Sequence, residues 1–331
     1  MDLTYREAEV RDFDACLALM QDQRYYSRDA WAALSNIWRQ WLVSGALNAA
    51  VMEYRAGSSG PRIIQFGMSV FVADQFLADA RTGGTPHLGA RLIDQVLAGC
   101  SPVLDLPAIR AVNSGDGLNL LVTHFGFSGA EWTPEQYLLI ASRMPESFFW
   151  LHHGYNLQEI LIEFYGAPLV QFCRAGGFLL RSDYQDFYRK QGLPLPSDEQ
   201  HPRLLGLTRE EAAANAGTNI ARLFPYHVPH LFFSHGEQKV LLQALLGRND
   251  EEIAASLDVA LSTVKKRWAA IYDCVTGQLP EMLPEVALSS SLLQKRGHEK
   301  RRQLLAYLRQ HPEELRPSVP RKQSGVAQGR P

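Results

Sequence analysis

Cysteine is scarce in this chain: four in 331 residues, at positions 16, 100, 173 and 274. They lie far apart with no C-x-x-C pair, which indicates neither a disulfide framework nor a thiolate zinc site and fits a reducing cytosol. No apolar run approaches the length of a membrane span. The opening residues, MDLTYREAEVRDFD, lack both a basic n-region and an apolar h-region, so a soluble cytoplasmic protein without membrane contact is expected. Excess charge is also lacking, with a formal net of −2. That near-neutrality hides an asymmetry: residues 234–331 hold 15 Lys and Arg against 11 Asp and Glu, leaving the first 233 residues with an acidic balance. The length implies two or three domains, and basic charge gathers in the last of them.

What is present concentrates in residues 233–275, FSHGEQKVLLQALLGRNDEEIAASLDVALSTVKKRWAAIYDCV. Val240, Leu241, Ala244 and Leu245 fall at helical spacing, Gly247 breaks the pattern, and Glu252, Ile253 and Leu257 open a second short helix. A third helix after Asp258 carries Val264, Trp268 and Ile271 on one side and Lys265, Lys266 and Arg267 on or near the other. Such a helix has the width of a DNA major groove. Ser234-His235-Gly236-Glu237 is a capping box at the start of the first helix. The stretch resembles the LuxR-type helix-turn-helix without a gap, with Glu237, Val240, Leu241, Gly247, Glu252, Ile253, Ala254, Leu257, Val259, Thr263, Val264, Lys265 and Ile271 at signature positions.

That resemblance implies a transcriptional regulator binding double-stranded DNA, with Ser262, Thr263, Lys265, Lys266 and Arg267 as the contact residues and a homodimer on paired half-sites. A run of cations alone is more often a solvated helix face; three helices in register favour the DNA reading. Trp268 is expected to pack and not to touch DNA. Three positions depart from the family. Asp258 replaces the turn glycine and must take the left-handed conformation. Ala260 replaces the capping serine, at a cost of about 1 kcal/mol unless Ser262 substitutes. Ala269 stands where a polar residue is common.

Upstream, the expected elements are a strand at 3–6, helices at 13–20 and 29–43, a hairpin pairing 49–55 with 62–72 across a Gly/Ser turn, a helix at 89–98 and a strand at 118–122. Residues 135–188 read as mostly helical, including two helices, 157–165 and 167–176, meeting near Pro168. Gly192-Leu193-Pro194-Leu195-Pro196 marks a boundary, and Thr208-Arg209-Glu210-Glu211 caps a connector helix. The expected organisation is an α/β domain over 1–190, linker and connector over 191–232, an all-α helix-turn-helix domain with an extra helix over 233–312, and a disordered tail over 313–331. The fold class is therefore α+β followed by all-α.

The opening strand and helix, the hairpin, and Arg81-Thr82-Gly83-Gly84-Thr85-Pro86 before the 89–98 helix together resemble the GNAT acyltransferase fold weakly. In that family an R-x-x-G-x-[GA] turn at a helix N-terminus cradles the CoA pyrophosphate. Here Pro86 removes an N–H donor and Arg81 comes nine positions after Val72, so an ordinary loop is expected. Phe127-Ser128-Gly129 lacks the rest of a nucleophile elbow. His152-His153 and His227/His230 are expected to be satisfied or exposed, not metal ligands. The aromatic set Trp31, Trp38, Trp41, Phe148, Phe149, Trp150, Tyr155, Phe164 and Tyr165 could line a pocket or fill a core. The expectation is a regulator, not an enzyme, with no cofactor, metal or catalytic residue and an N-terminal domain that senses a small molecule or protein. The alternatives are an acyl-CoA-dependent N-acyltransferase with an attached helical domain, and an adaptor that no longer binds DNA.

Overall fold

The computed structural model describes residues 2–20, 22–55, 60–82, 84–128, 132–282 and 293–320, with 293–298 described by backbone alone. The 56–59 turn, Gly83, Gly129, Pro284 and the tail from residue 321 lie outside the described residues. The chain divides into two compact units. The first, α/β unit comprises Met1–Ile109, Gly117–His153 and Leu157–Pro225. The second is helical, built from Tyr226 onward with Arg110–Asp116 and Gly154–Asn156.

In chain order the first stretch is β1 (Asp2–Glu7), α1 (Phe13–Leu19), α2 (Arg28–Ser44), β2 (Leu47–Arg55), β3 (Arg62–Val72), α3 (Asp74–Arg81), α4 (Leu88–Leu97) and α5 (Leu106–Asn113). There follow β4 (Leu118–Phe127), α6 (Pro134–His152), β5 (Leu157–Tyr165), α7 (Ala167–Ala175), β6 (Leu179–Ser182), α8 (Gln185–Lys190), β7 (Pro202–Thr208) and α9 (Arg209–Ala214). The strands form one sheet in the order β1-β2-β3-β4-β5-β7-β6, antiparallel except where β4 runs parallel to β5. A parallel pair needs a crossover, and α6 supplies it.

Alternation along the strands builds two faces. Phe66, Met68, Val70 and Val72 of β3 join Leu34, Trp38, Leu77, Leu88 and Leu92 in the main core, while Met52 and Ile64 meet Ile140 and Met144 of α6 on the other face. Helix α2 starts where its sequence directs: Ser27 accepts the Ala30 N–H at 3.1 Å, and Gly45 ends the helix at φ 77°.

Three expectations fail here. Residues 157–165 form strand β5, not a helix, and Pro168 sits in the first turn of α7, where its missing N–H costs nothing. The expected 191–232 linker holds β7, an inner strand between β5 and β6 with Leu204, Leu205 and Leu207 buried, so the α/β unit runs to Pro225. The connector helix survives as α9, with Thr208 and Glu211 forming the capping box. Lastly, the tail is ordered beyond 313, because the chain at 312–315 folds back as a helical turn. Buried Glu314 there accepts the His230 and Leu231 N–H groups at 2.8 and 2.9 Å, all within the helical unit.

The helical unit consists of α10 (His235–Leu245), α11 (Asp250–Ser256), α12 (Leu261–Gln278) and α13 (Leu293–Gln310). Capping boxes open the first two, Ser234 with Glu237 and Asn249 with Glu252. Asp258 takes the left-handed conformation at φ 50°. Val240, Leu241, Ile253, Val264, Trp268, Ile271, Val275, Leu304 and Leu308 form the core.

Candidate functional site

Strands β4 and β5 are paired only as far as Val122 opposite Ile162. At that point β4 carries an irregularity: Met68 pairs with His124 and Ser69 with Val122, leaving Thr123 as an extra residue. Such a bulge bends its strand. Beyond it β4 continues to Phe127 and β5 to Tyr165 without further pairing to each other. Two cavities flank this parting of the strands and share Val122, Phe125, Ile162, Phe164 and Leu169 as walls.

One cavity, about 260 Å³, has the more polar lining, with Asp22, Arg24, His124, Glu163 and Tyr165 among its walls. Among its walls is Glu163, whose carboxylate accepts the His87 N–H at 3.0 Å, the Leu88 N–H at 3.3 Å, the Tyr184 hydroxyl at 2.7 Å and the Tyr165 hydroxyl at 3.1 Å. Burial nevertheless pushes its pKa up to about 7, outweighing those four donors, which favour the anion. Tyr165 also meets His87 Nδ1 at 3.0 Å, and Tyr25 stacks on both rings. His124 is buried, held neutral by desolvation with its pKa down at about 3, and its Nε2 has no hydrogen-bond partner among the described residues. Asp22 completes the wall, its pKa raised by burial to about 6. A carboxylate titrating near neutrality beside neutral imidazole and phenol groups can exchange protons with a bound ligand.

On the α6 and α7 side the second cavity, about 310 Å³, is walled mostly by apolar side chains, among them Phe148, Phe149, Phe164, Phe172 and Phe178. Gly67 of β3 keeps it open: a Cβ there would meet only the Gln65 amide, at 3.8 Å. Pro145 lies inside α6 and also lines the cavity.

The 81–86 loop does not form a cradle. It follows α3. Arg81 pairs at 2.8 Å with both Asp74 and Glu159, and the Gly84 N–H donates to Asp79 O at 3.1 Å. The N–H groups at the start of α4, where the family resemblance would put a phosphate, are given to Glu163. An anion does sit at that helix start, as the dipole favours, but it belongs to the chain. In the aromatic set, Trp38, Trp41, Tyr155 and Phe164 are buried, and only Phe148, Phe149 and Phe164 line the apolar cavity while Phe164 and Tyr165 line the polar one.

In the helical unit, Ser262, Lys265, Lys266 and Ala269 lie exposed along one face of α12, opposite buried Val264, Trp268, Ile271 and Val275. Thr263 and Arg267 are half-buried, and the Arg267 guanidinium covers Gly236 on α10. No side chain caps α12 at Ala260, so Ser262 does not take over that role. Trp268 is 6% exposed, donates to Asp250 at 3.1 Å and lies 4.5 Å beneath the Arg301 guanidinium. His152 is buried and His153, His227 and His230 are exposed, and no cluster of metal-ligating side chains occurs among the described residues. No helix of the described residues is long and apolar enough to cross a membrane.

No protein-family model matches the chain, and no curated protein matches it in sequence. Among solved structures it is similar to mutant forms of the spermidine/spermine N-acetyltransferase SpeG from Vibrio cholerae, at 12% identity and TM-score 0.36 over 65% of this chain and 98% of that one. It is similar also to the C-terminal condensation domain of Ebony in complex with beta-alanyl-dopamine (13%, TM-score 0.38, 62% and 99%). A third is the NatC complex bound to Gag peptide and CoA (9%, TM-score 0.32, 63% and 99%). The expectation of a non-enzymatic chain is withdrawn, since the solved structures similar to it include N-acetyltransferases.

Proposed function

We propose that the α/β unit is an acyl-thioester-dependent N-acyltransferase, carried on a chain whose helical unit binds double-stranded DNA. The observation that carries the first part is the parting of β4 from β5 at the Thr123 bulge, with an apolar cavity on one face and a polar one on the other. An acyl donor inserted between the strands would lay its hydrocarbon chain among Phe148, Phe164 and Phe172. Its thioester would then sit near the unpaired stretch of β4, and an amine would approach from the side of Asp22 and Glu163. With a pKa near 7, Glu163 suits removal of a proton from an ammonium group. The apolar cavity falls at the lower end of the roughly 300–1,000 Å³ common for small-molecule sites.

The second part rests on α12. Two capping boxes fix the helices before it, and the face bearing Ser262, Lys265 and Lys266 is open to solvent, so these residues are the proposed DNA contacts, with Thr263 and Arg267 at the edges. Pairing of two copies on repeated half-sites suits such a unit. A cytoplasmic setting suits four free cysteines.

Calorimetry with acetyl-, hexanoyl- and decanoyl-CoA tests the donor site, and thiol release in the presence of a panel of amines tests transfer. Binding that strengthens with chain length, with amine-dependent thiol release, is expected. Absence of binding to all three donors would overturn the acyltransferase reading.

A further inference from the structure

Among the few polar side chains lining the apolar cavity, two meet each other. Ser69 of β3 and His152 of α6 both line it, and Ser69 Oγ lies 2.7 Å from His152 Nε2. The other ring nitrogen, Nδ1, is 2.7 Å from the Phe148 carbonyl, one turn earlier on the same helix. A carbonyl can only accept, so Nδ1 carries the hydrogen. In the neutral ring Nε2 is then an acceptor, and the Ser69 hydroxyl donates to it. Both residues are buried, at 2% and 1% exposure. The result is a hydroxyl, a base within hydrogen-bond reach, and a third group that fixes the tautomer of the base, the arrangement that activates a serine nucleophile.

The placement also argues for chemistry. Ser69 and Gly67 stand on the same face of β3, so the hydroxyl borders the space that Gly67 leaves empty. A hydroxyl and an imidazole buried only for packing would cost less as apolar groups of similar size.

We propose that Ser69 is a nucleophile that takes up an acyl group, with His152 as its base. The donor class rests on the acyltransferase reading above. As Ser69 Oγ bonds to the thioester carbonyl carbon, its proton passes to His152 Nε2. Collapse of the tetrahedral adduct breaks the C–S bond, and the thiolate leaves with that proton, giving O-acyl-Ser69 and a free thiol. An amine then attacks the ester carbon, gives its proton to Nε2, and the proton returns to Ser69 Oγ as the C–O bond breaks.

The full-length protein is incubated with an alkyl fluorophosphonate, digested and mapped by mass spectrometry. An adduct on Ser69 is expected, with labelling slowed by about 100-fold or more in His152→Gln, the lower end of what a positioned base contributes. Absence of the adduct from wild-type protein overturns the proposal without recourse to any variant. So does a labelling rate unchanged in His152→Gln. Thiol release from decanoyl-CoA separates the two readings. Wild-type turnover in Ser69→Ala would leave the acyltransferase in place and remove the nucleophile. A labelled Ser69 in a protein that turns over no thioester would keep the nucleophile and remove the acyltransferase.

Discussion

Glu163 sets two forces against each other, and the sign of the outcome can be measured. Four donors surround the carboxylate and favour its charged form, while desolvation by burial favours the neutral one and wins, moving the pKa from 4.5 to about 7. A carboxyl whose folded-state pKa is raised binds its proton more tightly when folded. Its contribution is full below the unfolded pKa and is lost as pH rises through the folded value. At about 1.4 kcal/mol per pH unit, the window from 4.5 to about 7 corresponds to roughly 3 kcal/mol. His87 and His124 work the other way: their pKa values are lowered to about 4 and 3, so their contribution is present above pH 6.5 and lost as pH falls. The wild-type profile is therefore a composite, and subtraction of a Glu163→Gln profile isolates the carboxyl. Hydrogen exchange of the β5 amides reports the free energy of opening this sheet in both proteins. The stability advantage of wild type over the variant should shrink by roughly 3 kcal/mol between pH 4.5 and 7.5. An advantage that grows with pH would show that the four hydrogen bonds outweigh desolvation, and would remove Glu163 as a base poised near neutrality.

Replacing Lys265 and Lys266 by Ala should weaken DNA binding and lower the salt slope by about one for each phosphate no longer neutralised; unchanged affinity and slope in a footprinting titration would remove α12 as the reading helix. Trp268→Ala should destabilise the helical unit by about 3–5 kcal/mol, as for other buried aromatics, and a preserved melting temperature with weakened DNA affinity would make Trp268 a DNA-touching residue. Gly67→Phe should project into the apolar cavity, where only the Gln65 amide stands near, at 3.8 Å. Affinity for decanoyl-CoA should then fall by about tenfold or more, while overpacking typically costs about 1–3 kcal/mol. Undiminished affinity in that variant would place the acyl chain elsewhere.

The elements legible in the sequence are those whose signal is local. Strands β2 and β3 are rich in strand formers on either side of a Gly/Ser stretch, and Ser234 with Glu237 marks the start of α10 three residues apart. Asp258 could be placed in the left-handed region because the helix before it ends there whatever its partners do. Strand β5 gives no such signal. In Leu157-Gln158-Glu159-Ile160-Leu161-Ile162-Glu163-Phe164-Tyr165 the two glutamates are four apart, a spacing that shares a face in a helix and in a strand alike. A strand buried on both faces has no alternation to display. Strand β7 was hidden by the residues leading into it: the prolines and glycine there read as an interdomain linker, yet Leu204, Leu205 and Leu207 are covered only because β5 and β6 arrive on either side.

The candidate site was less legible than the fold because its members meet across long separations. Ser69 and His152 are 83 residues apart, and the Leu88 N–H and Glu163 are 75 apart. One trace was present: two carboxylates inside a mostly apolar nine-residue run must be paired or neutralised if that run is buried. Glu159 meets Arg81, and Glu163 meets the start of α4. The glycine-rich approach to that helix reads in sequence as an ordinary loop, while the start of α4 receives the chain's own Glu163, since helix N-termini attract negative charge. What one stretch of sequence could not disclose was that a strand seventy-odd residues later would deliver the anion. The free space of the α/β unit lies instead where β4 and β5 part, a feature written in no motif and made by one extra residue, Thr123, in the ladder between β3 and β4.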